Sequence, residues 1–219
     1  MAEVNIMIAK GKDIKEICET MVCRENAYFR LMPDNGQTQE DGKIKNIGDM
    51  ALIACFQQQF GEYTARIPLK SSILEKLPGK TMEGKYEEFA RAAKDNIRKN
   101  SLIVPLEKMA GILMSTDSET EVFESAWNYG DGEPIVVGSR TGIGGAATAV
   151  VLADEIANEI GDFYMIPSSV HETILSPVSA SIDPEELEKM VKEVNQTIPR
   201  EDFLSNNIML YSGGAFENA

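Results

Sequence analysis

From Pro134 onward the apolar residues come in short bursts of changing period, and the order of those bursts constrains the fold more than any other feature of the chain. Pro134 to Gly138 (PIVVG) is a β-branched run of strand length. Ala146 to Ile160 follows a glycine-rich turn and has helical spacing. Phe163 to Ile166 and Val170 to Leu175 have the composition of strands broken by Pro167-Ser168-Ser169. Asp183-Pro184-Glu185-Glu186 then carries a helix-start signature, with Asp183 as cap, Pro184 in the first turn and Glu186 placed to bond back to the cap. That helix runs to about Asn195, and Asn207 to Tyr211 closes as a strand. A β-α-β-β-α-β succession folds naturally as a split βαβ, or ferredoxin-like, sandwich. The predicted class is therefore α+β: a mixed or antiparallel sheet with helices packed on one face, and a split βαβ-like C-terminal unit from about residue 130.

Upstream, after a weakly apolar opening to about residue 11, Asp13 can cap a helix through about Glu25. Ile14, Ile17, Cys18 and Met21 lie on one face of it. Pro33 to Gly42 is turn-forming and almost free of apolar side chains, so residues 1–45 read as an N-terminal helix and polar linker and residues 46–219 as the α+β domain. Ile47 to Phe60 (IGDMALIACFQQQF) reads as a buried helix ended by Gly61, and Tyr63 to Leu69 as an alternating strand. Thr81 caps a helix from Met82 to about Lys99, with Tyr86, Phe89, Ala90, Ala93 and Ile97 as its stripe. The basic residues Lys85, Arg91, Lys94, Arg98 and Lys99 gather towards its end, where they complement the helix dipole. Leu106 to Met114 reads as a shorter helix after Pro105.

Charge narrows the possible partners. The 219 residues carry a formal charge of −14, but residues 1–100 hold 16 basic against 15 acidic side chains while residues 101–219 hold 5 against 20. A groove that follows phosphates needs Lys and Arg to displace counterions, so general nucleic-acid binding is excluded as an expectation. With 43% hydrophobic and 26% charged residues the composition is globular. No apolar run approaches the roughly 20 residues that span a bilayer, and the first residues lack signal-peptide architecture, so the expected location is cytoplasmic with no membrane partner. Cys18, Cys23 and Cys55 match neither a zinc spacing nor a disulfide framework, and Cys55 lies in an apolar stretch that suits the core.

Three motifs invite chemistry. Gly142-Ile143-Gly144-Gly145-Ala146-Ala147 fits G-x-G-x-x-A between a strand and a helix, which makes Gly142, Gly144 and Gly145 candidates for cradling a dinucleotide. The next strand, however, runs into Pro167 instead of ending in a ribose-binding acid, and no second mononucleotide half follows. A flexible turn with close helix packing is the preferred reading, and no cofactor is expected. Pro167-Ser168-Ser169-Val170-His171-Glu172 holds the only histidine, with Ser168 or Ser169 as candidate nucleophile, His171 as base and Glu172 as orienting acid. In an extended strand Ser169 and His171 share a face and Glu172 points to the other, and the nucleophile elbow is missing, so a structural corner is preferred. A metal site is not expected: one histidine is too few, and Asp117-Ser118-Glu119-Thr120-Glu121 has Val122 where a calcium loop needs glycine. Trp127 and Tyr129 are candidate interaction anchors, or a core edge before the turn at Gly130 to Gly132.

The segments Gly48-Asp49-Met50-Ala51-Leu52-Ile53, Arg66-Ile67-Pro68-Leu69 and Tyr86-Glu87-Glu88-Phe89 to Asn96 resemble the central part of the DUF5688 proteins of Firmicutes. Gly144 to Ala147, followed by Asp162 to Glu172, is similar to the most distinctive element of that family. Met190-Val191 to Asn195 and Leu204-Ser205 to Tyr211 continue the likeness in order. The resemblance covers roughly residues 46–212. It implies a bacterial, intracellular protein and assigns no activity.

Three functions compete. The favoured expectation is a non-enzymatic protein-interaction or accessory module, carried by a mobile element or prophage, whose partner is another protein or a second copy of itself. The alternative is a small hydrolase or transferase centred on the Pro-Ser-Ser-Val-His-Glu motif, which requires a hydroxyl within reach of the imidazole beside an open pocket. An acidic mimic of DNA that inhibits a nucleic-acid-binding host protein ranks third.

Overall fold

The computed structural model describes residues 14–34, 42–60, 63–109, 127–130, 132–142, 144–167 and 169–219. Helix α1 (Ile14–Met21) and a 3-10 turn (Arg24–Asn26) lead into a four-stranded antiparallel sheet of β1 (Ala27–Pro33), β2 (Lys43–Ile47), β3 (Met50–Phe60) and β4 (Tyr63–Pro68). A short helix, α2 (Ser71–Leu74), and the long α3 (Met82–Asn100) come next. The second sheet has six strands in the order β10-β9-β7-β8-β6-β5, every neighbouring pair antiparallel. Its members are β5 (Ser101–Pro105), β6 (Ile135–Ser139), β7 (Phe163–Ile166), β8 (Thr173–Pro177), β9 (Met209–Ser212) and β10 (Ala215–Asn218). Helices α4 (Ala146–Val151) and α5 (Ala153–Ile160) join β6 to β7, and α6 (Pro184–Val194) joins β8 to β9.

The α+β class and the split βαβ unit are as the sequence implies. Strand β8 lies between β6 and β7, and β7 lies between β8 and β9, so each helical connection spans an inserted strand. The helices nevertheless divide between the two faces of the six-stranded sheet. Phe163, Met165 and Leu175 point into the main core with α4 and α5, whereas Ile166, with Tyr164 and Ile174 beside it, packs on Leu187 and Val191 of α6. Handedness explains the departure from the one-face expectation. Both crossovers step in the same direction across the sheet but leave from strands of opposite direction, so two right-handed connections place their helices on opposite sides.

The segment expected as a helix over Ile47 to Phe60 is the end of β2, a two-residue turn and β3. β3 has β1 along one edge and β2 and β4 along the other, and Met50 to Phe56 are all buried. A strand covered on both faces loses its alternation, and its apolar run then looks the same as that of a buried helix. Gly48 (φ +57) and Asp49 form the hairpin loop, with Ile47 paired to Met50. A positive φ at the first loop residue alone is the requirement of a type II′ turn, which only glycine meets without strain.

β1 falls within residues 1–45, read as an N-terminal helix and polar linker, and pairs with β3 from Ala27↔Phe56 to Pro33↔Met50. On one face of this sheet Phe29 and Phe56 meet Phe89 of α3 edge to face, with centroids 5.9 and 5.3 Å apart. Buried residues of both sheets, α3, α4 and α5 form one continuous core, Cys55 among them. The Thr81 cap is realised, its hydroxyl accepting from the Gly84 N–H at 3.1 Å, and Asp183 accepts from the Glu185 N–H at 3.0 Å. Lys94 and Arg98 both bind Glu155 of α5, so they tie two helices together in addition to complementing a dipole. The expected helix from Leu106 is present over residues 106–109, and its remainder lies outside the described residues, as do the opening to residue 11 and most of the polar loop.

Candidate functional site

The two motifs singled out in the sequence, the glycine turn and Pro-Ser-Ser-Val-His-Glu, meet in space and satisfy each other. The segment after β7 (Pro167 to His171) lies beside residues 202–205. Val170 N–H donates to the Asp202 carbonyl at 2.8 Å, Ser205 N–H donates to that of Pro167 at 3.0 Å, and Ser169 bridges to Phe203. On the other side it meets the start of α4, where Ala146 N–H reaches the Val170 carbonyl at 3.4 Å and Gly144 N–H reaches His171 Nδ1 at 3.5 Å. His171 Nε2 lies 2.9 Å from Asp202 Oδ1. With Nδ1 accepting, the ring proton resides on Nε2 and is donated to the carboxylate, so a neutral imidazole has both nitrogens engaged.

The glycines are explained by this contact. A Cβ on Gly145 would stand 2.3 Å from the His171 carbonyl oxygen and 2.4 Å from the Gly138 carbonyl carbon, so only glycine lets α4 begin against β6. Gly144 adopts φ +70, and its carbonyl accepts from the Tyr28 hydroxyl of β1 at 3.4 Å. Burial pushes the Tyr28 phenol up to about 12, with Cys55 adding to the shift, so it remains a donor at any physiological pH. Gly142 N–H donates to the Ser139 carbonyl at 2.8 Å. The amides of Gly142, Gly144 and Ala146 are thus bound within the chain.

Of the candidate nucleophile set, Ser169, His171 and Glu172 lie among the described residues. Ser169 Oγ accepts from the backbone N–H of His171 at 3.0 Å, which holds the hydroxyl in the turn and not at the ring. Glu172 is exposed, with its Cβ beside Gly138, while Asp202 occupies the position of the acid. Ser168 and the acidic string 117–121 lie outside the described residues. Among the described residues no group of three or more His, Cys, Asp or Glu converges as a metal site would require. Trp127 and Tyr129 sit half-buried against the core, rings edge to face at 6.4 Å, and the indole N–H donates to Ser101 Oγ at 2.7 Å.

Residues with no local signature complete the junction. Asp49, at the tip of the β2–β3 hairpin, accepts from Ser205 Oγ at 2.7 Å, and Ser205 Oγ also accepts from Asn207 N–H. Asn195, just past α6, donates to the Ser205 carbonyl at 2.8 Å. Gly48 is pressed onto β9, where a Cβ would meet Met209 Sδ at 2.7 Å. Tyr28, Asp49, Asp202 and Ser205 are therefore as much part of the site as His171. Only the Gly-Asp hairpin turn was visible in the sequence, and it lay inside a segment read as helix.

Fold and site together define an α+β protein whose two antiparallel sheets are clasped by a polar junction built on one histidine and a glycine turn. The chain belongs to DUF5688, a family of unknown function, which matches residues 6–213. The match takes in α1 and β1, upstream of the point where the resemblance in sequence begins. No curated protein and no solved structure matches the chain. No helix among the described residues is long and apolar enough to cross a membrane.

Proposed function

We propose that this protein is a non-enzymatic interaction or accessory module, acting through its surface on another protein or on a second copy of itself. The observation that supports the reading is the engagement of the motif's described groups: both nitrogens of His171 and the hydroxyl oxygen of Ser169 are bonded within the chain. The surface best suited to contact is the outer side of α6, where Met190 and Val194 are 53% and 52% exposed, one helical turn apart. Their neighbours on α6 include Glu186 and Glu193, which favour a neutral or basic partner. The test places a photo-crosslinking residue at position 190, with exposed Glu107 as control, and follows oligomeric state by light scattering. Specific crosslinks from position 190, lost when Val194→Glu is added, support the reading. A strictly monomeric protein with no crosslinks at either position refutes it.

A hydrolase or transferase is the second reading, favoured by the His171–Asp202 pair, whose side chains are each 32% exposed. It requires activity on an ester, amide or phosphoester panel that disappears in His171→Asn and Asp202→Asn while both variants stay folded.

A further inference from the structure

Between the 3-10 turn that follows α1, α3 and the first sheet lies a cavity of about 210 Å³. Its floor is Phe56 and Phe89, with Ala27 and Ala92 between them, all buried. Val22, Cys23 and Leu77 form the walls. Burial, with a hydrogen bond that the thiol donates to Glu25, raises Cys23 above its ordinary value, so at neutral pH it is a protonated, polarisable wall. An apolar cavity of roughly 150 Å³ accepts benzene, and drug-sized ligands need about 300 Å³ or more, so this one suits a single ring with a short tail.

The rim supplies charge. Arg24 and Lys85 stand there with Glu88, and the Glu25 carboxylate lies against both Cys23 and Arg24. Arg24 holds Asp95 loosely at 3.9 Å, with both side chains more than half exposed. Lys85 donates one of its three N–H groups to the Glu75 carbonyl. The Lys85 stem is placed by the turn beside it: Gly79 has φ +135, and a Cβ there would meet Lys85 Cγ at 2.7 Å. The ammonium is therefore directed by the backbone of residues 75–79 instead of ranging over the surface.

We propose that this cavity binds a small amphipathic carboxylate, with an aryl or short alkyl body on Phe56 and Phe89 and its carboxylate on Arg24 and Lys85. The full chain is titrated calorimetrically with 4-phenylbutyrate, and with 4-phenylbutanol and 4-phenylbutylamine as neutral and cationic counterparts. Saturable 1:1 binding of the carboxylate is expected, at least about tenfold tighter than the alcohol, which is the worth of one charge-assisted hydrogen bond. Ala92→Leu fills the floor and removes binding. Arg24→Gln/Lys85→Gln, which leaves the core untouched, weakens the carboxylate about tenfold and leaves the alcohol unchanged, so the proposal stays testable if Ala92→Leu does not fold. Absence of saturable binding, an alcohol as tight as the carboxylate, or carboxylate binding indifferent to the rim variant overturns it.

Discussion

Replacing Gly145 by alanine asks whether the glycine turn exists for packing. Its backbone imposes no need for glycine, since φ is −67° and ψ −23°, values that any residue accepts. Space is what is missing. The added Cβ would lie 2.3 Å from the His171 carbonyl oxygen, 2.4 Å from the Gly138 carbonyl carbon and 2.5 Å from the Gly138 Cα. All three are backbone atoms, so no rotamer change relieves the clash, and the segments must part by about 1 Å to restore ordinary contact. Over-packing of this kind costs about 1–3 kcal/mol. The same movement stretches the Ala146–Val170 and Gly144–His171 hydrogen bonds, which contribute about 0.5–1.5 kcal/mol each. A net loss of about 3 kcal/mol follows, or about 6–12 °C in Tm for a chain of this size. Gly142→Ala is the control: φ is +69° with nothing within 4 Å, so only the left-handed conformation is penalised, by about 1–2 kcal/mol. Urea unfolding followed by circular dichroism measures both. If Gly145→Ala costs no more than Gly142→Ala, the close approach of α4 to β6 and the His171 segment is wrong, and the glycines need another explanation.

Asp202→Asn should destabilise by about 1–2 kcal/mol in the same assay, because a charged acceptor of the His171 proton is lost at a part-exposed site. Nitrogen NMR of the wild type should show the Nε2–H tautomer, and an Nδ1–H form would contradict the geometry. Burial pushes the Glu155 carboxyl up, but hydrogen bonds from Arg98 and Lys94 prevail and hold it below the ordinary carboxylate range. A depressed folded pKa means the stabilisation is complete above the unfolded value and is lost as pH falls through the folded one. Glu155→Gln should therefore lower stability at pH 7 by about 0.5–1 kcal/mol, with the difference from wild type vanishing in acid. Cys55 is 3% exposed, and burial pushes its thiol up to about 11, so a disulfide reagent should modify Cys18 and Cys23 in the native protein and Cys55 only on unfolding. Native-state modification of Cys55 at the same rate as the others would show that β3 is not the covered central strand described.

Elements whose signals are local were legible, and elements whose identity depends on covering neighbours were not. The caps at Thr81 and Asp183, the strand at β7 and the βαββαβ succession stand as read, because a cap or an alternating strand is specified within a few residues. β3 has no strand signature of its own because Met50 to Phe56 are all buried, a condition set by distant elements such as α3 that its own sequence does not report. β1 escaped notice for the related reason that its seven residues follow a helix without turn punctuation. At the site, the distinctive motif drew attention to His171, but its acid is Asp202, 31 residues on, and not the adjacent Glu172.

By itself the sequence determined the α+β class, the β-α-β-β-α-β succession from β6 to β9 and the caps, but not the edge strands β5 and β10 of the second sheet. Tertiary structure alone decided which of those elements face each other. Tyr28 meets Gly144 across 116 residues and Ser205 meets Asp49 across 156, contacts with no local signature at either end. It also decided that the glycine turn packs against the histidine segment. The physical reason is one of range. Backbone propensity and capping act over a turn or two of chain, whereas the pairing of a donor with its acceptor, and of a glycine with the carbonyl it must admit, is settled only when distant segments are packed together.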